Sequence, residues 1–320
     1  MSSYFLVLPR PGGPKKNEAI RAPSEAAFVE TFGQVLPPVS YLHTINGRIA
    51  FYKLKPTTHA STRVSRVLLI HGVQAPAIGL QPLASSLSSR FPSAEFVLVD
   101  LWGHGLTDTP LKPHTPALFH NLITDLLIHL DWPDAHFVGY SFGGSTVATF
   151  AASYPAKVRS LVLVAPAGFF HEEQFTELER SNLRGGEEVE EAAAAWILEF
   201  LEGGKLVVPS DWKQRAARGE IVAEAVRDWE MKEHSGHLAS VVGVFRDGGV
   251  IGKHEEFRKV AGSGIKVLSV LGETDDVCGP EDLAGVGMHN VVVIPGVGHG
   301  VVRQRVPEVV ELIEEFWKGL

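Results

Sequence analysis

Short apolar runs alternate with helical patterns along most of the chain. Continuous runs of Val, Leu and Ile bounded by turn residues are typical of strands buried on both faces of a sheet, and their alternation with helices predicts a parallel, right-handed α/β architecture. Upstream of them, Asn46-Gly47 separates two strand-like runs and predicts a hairpin, so two antiparallel strands should form one edge of the sheet. The runs that predict parallel strands are 67–70, 96–99, 137–138, 161–164, 267–271 and 291–294.

One interval breaks this alternation. About a hundred residues separate the run at 161–164 from the run at 267–271, far more than one crossover connection needs. Apolar residues recur at helical spacing within the interval, which predicts a mostly helical insertion. The helical patterns there are 187–201, 221–229 and 237–245.

These patterns divide the chain into three parts. We predict a core domain formed by residues 41–169 and 261–320, interrupted by a helical cap at 170–260. Residues 1–40 contain several prolines and glycines and one short helix candidate at 24–32, so we expect an N-terminal arm that packs against the main domain.

Composition narrows the class of protein. Hydrophobic residues make up 45% of the 320 positions, which suffices for a large core and argues against disorder. The 29 basic and 37 acidic residues give a net charge of −8 without a basic run, so we expect no nucleic-acid partner. The single cysteine, Cys278, excludes an internal disulfide and fits a reducing compartment. Since no apolar stretch reaches roughly 18 residues, we expect a cytoplasmic protein without a membrane span.

The sharpest chemical signal is the sequence GYSFGG at 139–144, which directly follows a predicted strand and precedes a helix-forming run. A serine on such a strand-to-helix turn is forced into a strained backbone conformation, and the glycines two residues to either side remove clashes. The dinucleotide and phosphate-loop patterns do not fit these residues. Ser141 is therefore predicted to be a nucleophile, with its hydroxyl clear of the sheet and the N-terminus of the next helix beside it.

A serine nucleophile needs a base, and the base needs an acid to orient it. His299 lies in a glycine-rich loop after the last predicted strand, which favours a catalytic role over that of an ordinary surface histidine. The loop after 267–271 offers three carboxylates; Asp275 is our choice for the acid, with Asp276 as its rival. Any of the three could instead cap the following helix.

Stabilising an oxyanion takes two backbone N–H donors aimed at one point. Phe142, directly after the nucleophile, is expected to supply one, and Val73, in the loop after the strand at 67–70, the other. His71 is then expected to hold that loop, although a second general base is an alternative.

Together with the segment DLWGHG at 100–105, these features resemble the α/β-hydrolase superfamily from about residue 44 to residue 316. The order Ser, Asp, His along the chain matches that scaffold. The resemblance implies an eight-stranded, mostly parallel sheet flanked by helices, with a helical cap where the insertion falls. Cys278, three residues after Asp275, resembles monoacylglycerol-lipase-like members, which favours Asp275, whereas the spacing to Pro280 favours Asp276.

The resemblance implies a serine hydrolase that forms an acyl-enzyme on Ser141 and cleaves a small to medium hydrophobic carboxylic ester or lactone. Serine at this position argues against the epoxide hydrolase and dehalogenase branches, which use a carboxylate nucleophile. A carbon–carbon bond hydrolase of the meta-cleavage type is an enzyme alternative. A ligand receptor with little or no turnover is an alternative from another class.

The predictions for substrate contacts are weaker. The substrate is expected to be a small hydrophobic molecule, no cofactor is expected, and no metal is expected because the chain has no HExxH or CxxC spacing. The pattern leaves the oligomeric state open. Residues predicted to border the pocket, each with ordinary packing as its competing interpretation, are Trp102, Tyr140, Trp229, His234 and His237.

Overall fold

The computed structural model of the chain describes residues 5–13, 16, 18–60, 62–74, 76–186 and 188–320. All six runs predicted as parallel strands form strands, and both arms of the predicted hairpin pair around Asn46-Gly47. The strands in chain order are β1 Ala19–Ile20, β2 Ser40–Thr44, β3 Gly47–Leu54, β4 Arg66–Ile70, β5 Glu95–Val99, β6 Thr109–Pro110, β7 Ala135–Tyr140, β8 Val158–Val164, β9 Lys266–Gly272 and β10 Val291–Ile294.

Eight of these strands form one sheet in the order β10-β9-β8-β7-β4-β5-β3-β2. The six strands from β10 to β5 are parallel, whereas β3 and β2 are antiparallel and form the predicted edge. Strand β7 lies in the middle, so the loop at its carboxyl end lies where sites form in sheets of this kind. The predicted fold class, a mostly parallel eight-stranded sheet flanked by helices, is confirmed.

Helices cover both faces of this sheet, and two apolar clusters, one on each side, form the core. No helix of the described part of the chain is long and apolar enough to cross a membrane. The helices in chain order are α1 Glu25–Phe32, α2 Gln81–Arg90, α3 Pro116–His129, α4 Phe142–Ser153, α5 Glu177–Arg184, α6 Glu190–Glu202, α7 Trp212–Ala217, α8 Ala223–Glu233, α9 His237–Asp247, α10 His254–Ala261, α11 Pro280–Gly285, α12 Val301–Gln304 and α13 Val306–Lys318.

Six helices, α5 to α10, follow one another between β8 and β9, and we call the first five, α5 to α9, the inserted helices. Helix α6 corresponds to the pattern at 187–201; its predicted first residue, Glu187, lies outside the described residues, and the helix ends at Gly203 with a left-handed C-cap. Helices α8 and α9 correspond to the other two helical patterns. Helix α10, which comes next, packs against α4.

The N-terminal segment contacts the inserted helices through α1 and through Arg10. Helix α1 begins at Ser24, whose side chain accepts a hydrogen bond from the N–H of Ala27 at 3.2 Å. Phe28 of this helix packs edge-on against Trp229 of α8 with ring centroids 5.3 Å apart. Arg10 forms an ion pair of 2.7 Å with Asp247 at the end of α9. The segment is therefore joined to the inserted helices by both apolar and ionic contacts.

Candidate active site

Ser141 lies on the tight turn between β7 and α4. Its φ of 53° and ψ of −120° are a strained combination for a residue with a side chain, as the strand-to-helix pattern predicts. Helix α4 starts at the next residue, so its N-terminal N–H groups and positive dipole end lie at the serine. This turn presents Oγ at the carboxyl end of the central strand.

The glycines around Ser141 are required by close backbone approach. A Cβ at Gly139 would lie 2.5 Å from the carbonyl oxygen of Gly143, and a Cβ at Gly143 would lie 2.2 Å from the carbonyl oxygen of Ile70. Gly72, in the loop after β4, passes so close that a Cβ there would lie 2.8 Å from Cβ of Ser141. The turn therefore packs tightly against the neighbouring strand and its loop.

Three loops of the sheet bring together Ser141, His299 and Asp275. Nε2 of His299 lies 2.9 Å from Oγ of Ser141, and Nδ1 of the same ring lies 3.1 and 3.2 Å from the two carboxylate oxygens of Asp275. His299 follows β10 and Asp275 follows β9, so the carboxyl ends of three strands supply the three groups. The side chain of Asp275 is fully buried, whereas that of His299 is 28% exposed.

Asp275 and Asp276 occupy different environments. One oxygen of Asp275 accepts a hydrogen bond of 2.9 Å from the N–H of Val277, which fixes the carboxylate towards the imidazole. Asp276 is exposed and borders the cavity described below. The geometry therefore supports Asp275, rather than Asp276, as the partner of His299.

The electrostatics of His299 reflect competing effects. Burial lowers the pKa of the imidazole, but the negative charge of an ionised Tyr140, the hydrogen bond to Asp275 and the charge of that carboxylate outweigh it and raise the pKa from 6.5 to about 9. The hydrogen bond and the charge of Asp275 act in this direction, whereas the positive charge of Arg303 acts against it. The direction of the shift is towards a more basic histidine.

This shift predicts the pH dependence of turnover. If neutral His299 removes the proton of Ser141, kcat/KM rises as the imidazole loses its own proton, so the acidic limb should have its midpoint between 6.5 and 9. We expect this in kcat/KM profiles with an uncharged ester, and we expect Asp275→Asn to move the residual midpoint downwards. An acidic limb centred below 6.5 would contradict the assignment.

A cavity of about 500 Å³ opens on Ser141 and His299. Its walls combine an apolar side, which includes Phe170, Phe200, Leu201 and Val250, with a charged side. Val73 and Phe142, the expected oxyanion donors, both line it. The charged or polar lining residues other than Ser141 and His299 are Gln74, Tyr140, Glu202, Arg227, Asp276, Arg303 and Gln304.

Among the residues predicted to border the pocket, Tyr140 lines the cavity, whereas the prediction is wrong for four others, which do not line it. Trp102 is fully buried in the core, where its indole N–H donates to the carbonyl oxygen of Leu118 at 3.3 Å. Trp229 packs against the aromatic residues of α1. His234, directly after α8, and His237, the first residue of α9, are both buried and bond to main-chain groups.

The two histidines belong to a polar contact between the inserted helices and the loop at 102–107. His234 donates to the carbonyl oxygen of Thr107 and His237 to that of Gly103, both at 2.9 Å. Both carboxylate oxygens of Glu230 accept from the N–H of Gly105, at 3.0 and 3.1 Å. Burial lowers the pKa of His237 to about 3 and raises that of Glu230 well above its usual value, so both groups are neutral here.

His71 has the structural environment that was expected of it. Its Nδ1 donates to the carbonyl oxygen of Gly72 at 2.7 Å, while Nε2 accepts from the N–H of Leu101 at 2.8 Å. Burial lowers the pKa of this histidine to about 4. Both ring nitrogens are therefore occupied by main-chain groups, which leaves no free nitrogen for a second general base.

Sequence reasoning missed two arginines of the cavity wall. Arg227 extends from α8 and pairs with Glu202 at the end of α6, with 2.5 Å between the guanidinium and carboxylate. Arg303 lies on α12, four residues after His299. Because Arg303 follows His299 by only four residues, the sequence could have predicted that it lies near the site. The position of Arg227 depends on how the inserted helices pack. Within the described residues, no cluster of three or more His, Cys, Asp or Glu could hold a metal ion.

Comparison with known proteins agrees with this fold. A family model described as the alpha/beta hydrolase fold matches residues 66–204. An uncharacterized protein of Mycobacterium tuberculosis is 31% identical over 134 residues, 42% of this chain and 37% of that protein. The 2-(acetamidomethylene)succinate hydrolase of Mesorhizobium japonicum is 28% identical over 169 residues, 53% of this chain and 59% of that enzyme. The chain thus matches between 37% and 59% of the length of these relatives.

The likeness in structure extends over more of the chain. The crystal structure of the enol-lactonase from Burkholderia xenovorans LB400 superposes with a TM-score of 0.64 at 16% identity, covering 87% of this chain and all of that one. The match to the family model over residues 66–204 and the superposition define the class of fold: the chain has the α/β-hydrolase fold.

Proposed function

We propose that the chain is a serine hydrolase that cleaves a carboxylic ester or lactone through an acyl-enzyme on Ser141. The observation that carries the proposal is the continuous relay from Asp275 through His299 to Ser141, which ends at the wall of a cavity large enough for a small substrate. A serine hydroxyl placed 2.9 Å from an oriented imidazole is an activated nucleophile.

The first half of the reaction acylates the enzyme. His299 takes the Ser141 proton on Nε2 while Oγ forms a bond to the carbonyl carbon. The carbonyl oxygen becomes an oxyanion, and the C–O bond to the leaving alcohol then breaks as His299 returns the proton to that alcohol. Asp275 keeps the imidazole in the required tautomer and stabilises its positive charge. In a lactone, the leaving alcohol stays attached to the acyl group.

The second half returns the serine. Water gives its proton to His299 and attacks the acyl carbon, and Ser141 leaves with that proton, so the product is a carboxylic acid. For the oxyanion we assign the N–H groups of Val73 and Phe142; among the described residues neither has a hydrogen-bond partner, and both residues line the cavity. The apolar wall supports an acyl group with hydrophobic parts.

Labelling with a fluorophosphonate tests the nucleophile directly. We expect one adduct, mapped by mass spectrometry to the peptide that contains Ser141, and no adduct in Ser141→Ala. Ser153→Ala, which alters an exposed serine at the other end of α4, is the matched control and should label fully. Folded protein without an adduct would favour the ligand-receptor alternative.

A substrate panel then tests the reaction type. Esters and lactones should be cleaved in preference to a vinylogous diketone. A strong preference for the diketone would replace ester hydrolysis by carbon–carbon bond hydrolysis on the same serine and histidine.

A further inference from the structure

Arg303 is a cation in the cavity wall that pairs with no carboxylate of the described residues. Its guanidinium carbon lies 5.4 Å from the centre of the Tyr140 ring, and the His299 ring centre lies 5.3 Å from that same ring. Among the described residues Arg303 forms no ion pair, and its Nη1 is buried without a hydrogen-bond partner. The guanidinium thus lies beside the candidate catalytic residues with hydrogen-bonding capacity unused.

The other charged groups of the cavity do not compensate Arg303. Glu202 pairs with Arg227 and also feels the charge of Arg303, which acts to lower the pKa of this carboxyl, so one carboxylate faces two arginines here. Asp276 is exposed at the edge, where water screens its charge, and it forms no ion pair with Arg303 in the described chain. Burial acts to raise the pKa of Tyr140, but the positive charge of Arg303 and then that of His299 outweigh it and lower the pKa. The site therefore favours an additional negative charge.

A carboxylate fits this position. A guanidinium presents parallel N–H donors that match two carboxylate oxygens, and such charge-assisted pairs are stronger than neutral hydrogen bonds. Arg303 lines the cavity, so a ligand bound there meets this guanidinium. The apolar residues of the wall, among them Phe170 and Phe200, accommodate the methylene groups of the same molecule.

We infer that Arg303 binds a free carboxylate of the substrate, so that the enzyme acts on esters or lactones of carboxylate-bearing acids. The part of this inference that concerns the reaction rests on the proposed serine hydrolysis. Arg303 is then a specificity-determining residue, and the reacting carbonyl and the carboxylate belong to one short, partly apolar molecule. The reaction releases an acid with two carboxyl groups.

The kinetic test compares two esters of the same shape. We would measure kcat/KM for the monophenyl ester of adipic acid and for the corresponding ester whose free carboxylate is replaced by a carboxamide. The unmodified protein should prefer the carboxylate by about 10- to 100-fold, the range for a hydrogen bond to a charged group. Arg303→Gln should bring this ratio close to one, and Arg303→Lys should keep part of it.

Arg258→Gln is the matched control, because Arg258 is an exposed arginine of α10 that pairs with Glu255 outside the cavity. This variant should keep the full preference for the carboxylate. A ratio near one in the unmodified protein, or an equal ratio in Arg303→Gln and the unmodified protein, would overturn the assignment.

A binding measurement separates this inference from the proposed function. Adipate should bind to Ser141→Ala by calorimetry and should bind at least about tenfold more weakly when Arg303→Gln is added. Adipamide should bind equally weakly to both proteins. If neither ester is hydrolysed but adipate binds through Arg303, the hydrolase proposal fails and the carboxylate site stands. If the esters are hydrolysed but adipate binding ignores Arg303, the reverse holds.

Discussion

Ser141→Ala should lower kcat by several orders of magnitude, up to about 10⁶-fold, with little change in KM. Removing the nucleophile of a serine hydrolase has effects of this size, since only the oxyanion donors and substrate binding remain to stabilise the transition state. Steady-state kinetics on any ester that the unmodified protein cleaves will measure the loss. The assay needs active-site titration, because traces of unmodified protein would otherwise dominate the residual rate.

The variant should fold like the unmodified protein. Alanine keeps the Cβ of serine and therefore the same strain at φ 53°, while Oγ has Nε2 of His299 as its hydrogen-bond partner among the described side chains. Equal urea midpoints would establish that the loss is chemical. Turnover within tenfold of the unmodified protein would exclude Ser141 as the nucleophile.

Asp275→Asn should lower kcat by about 10³- to 10⁴-fold, whereas Asp276→Asn should lower it by less than about tenfold. In the first variant the amide oxygen can keep the hydrogen bond from Val277, which directs the NH₂ group at His299. Nδ1 must then accept, so Nε2 carries a proton and cannot take another from Ser141. The exposed charge of Asp276 is screened by water, so its removal changes little.

This pair of variants is a matched comparison, because both remove one negative charge from adjacent residues. The two residues differ in environment, since Asp275 is buried against His299 and Asp276 is exposed, so the ratio of the two kcat values measures what the buried carboxylate adds. A larger loss in Asp276→Asn than in Asp275→Asn would reverse the choice between the two carboxylates.

The sequence predicted the strands of the sheet and the proximity of Ser141, His299 and Asp275 for the same physical reason. Buried parallel strands need continuous apolar runs, and the turn around Ser141 needs glycines because the backbone of Gly143 approaches that of Ile70. Such constraints involve residues that are close together in the sequence or that follow the end of a strand. They therefore leave a local pattern that a single chain displays.

The residues of the cavity wall were predicted less well, because which residues line it depends on how helices that are distant in the sequence pack together. Trp229 and His237 have residue types that suit a pocket, yet one meets the aromatic residues of α1 and the other a main-chain carbonyl group. Arg227 becomes a wall residue only because α8 folds back over the sheet. Long-range placement of this kind has no periodic signature.

The polar contact between the inserted helices and the loop at 102–107 limits how this protein can be recombined with its relatives. Glu230, His237 and Ser240 all bond to main-chain groups of that loop, and none of them reaches solvent. A chimera that exchanged α5 to α9 alone would leave the main-chain groups of the loop buried without these partners. The free-energy cost of several such groups is comparable to the free energy of unfolding of a whole domain. The loop and the helices should therefore be exchanged together, although about 120 residues of chain separate the loop from α8.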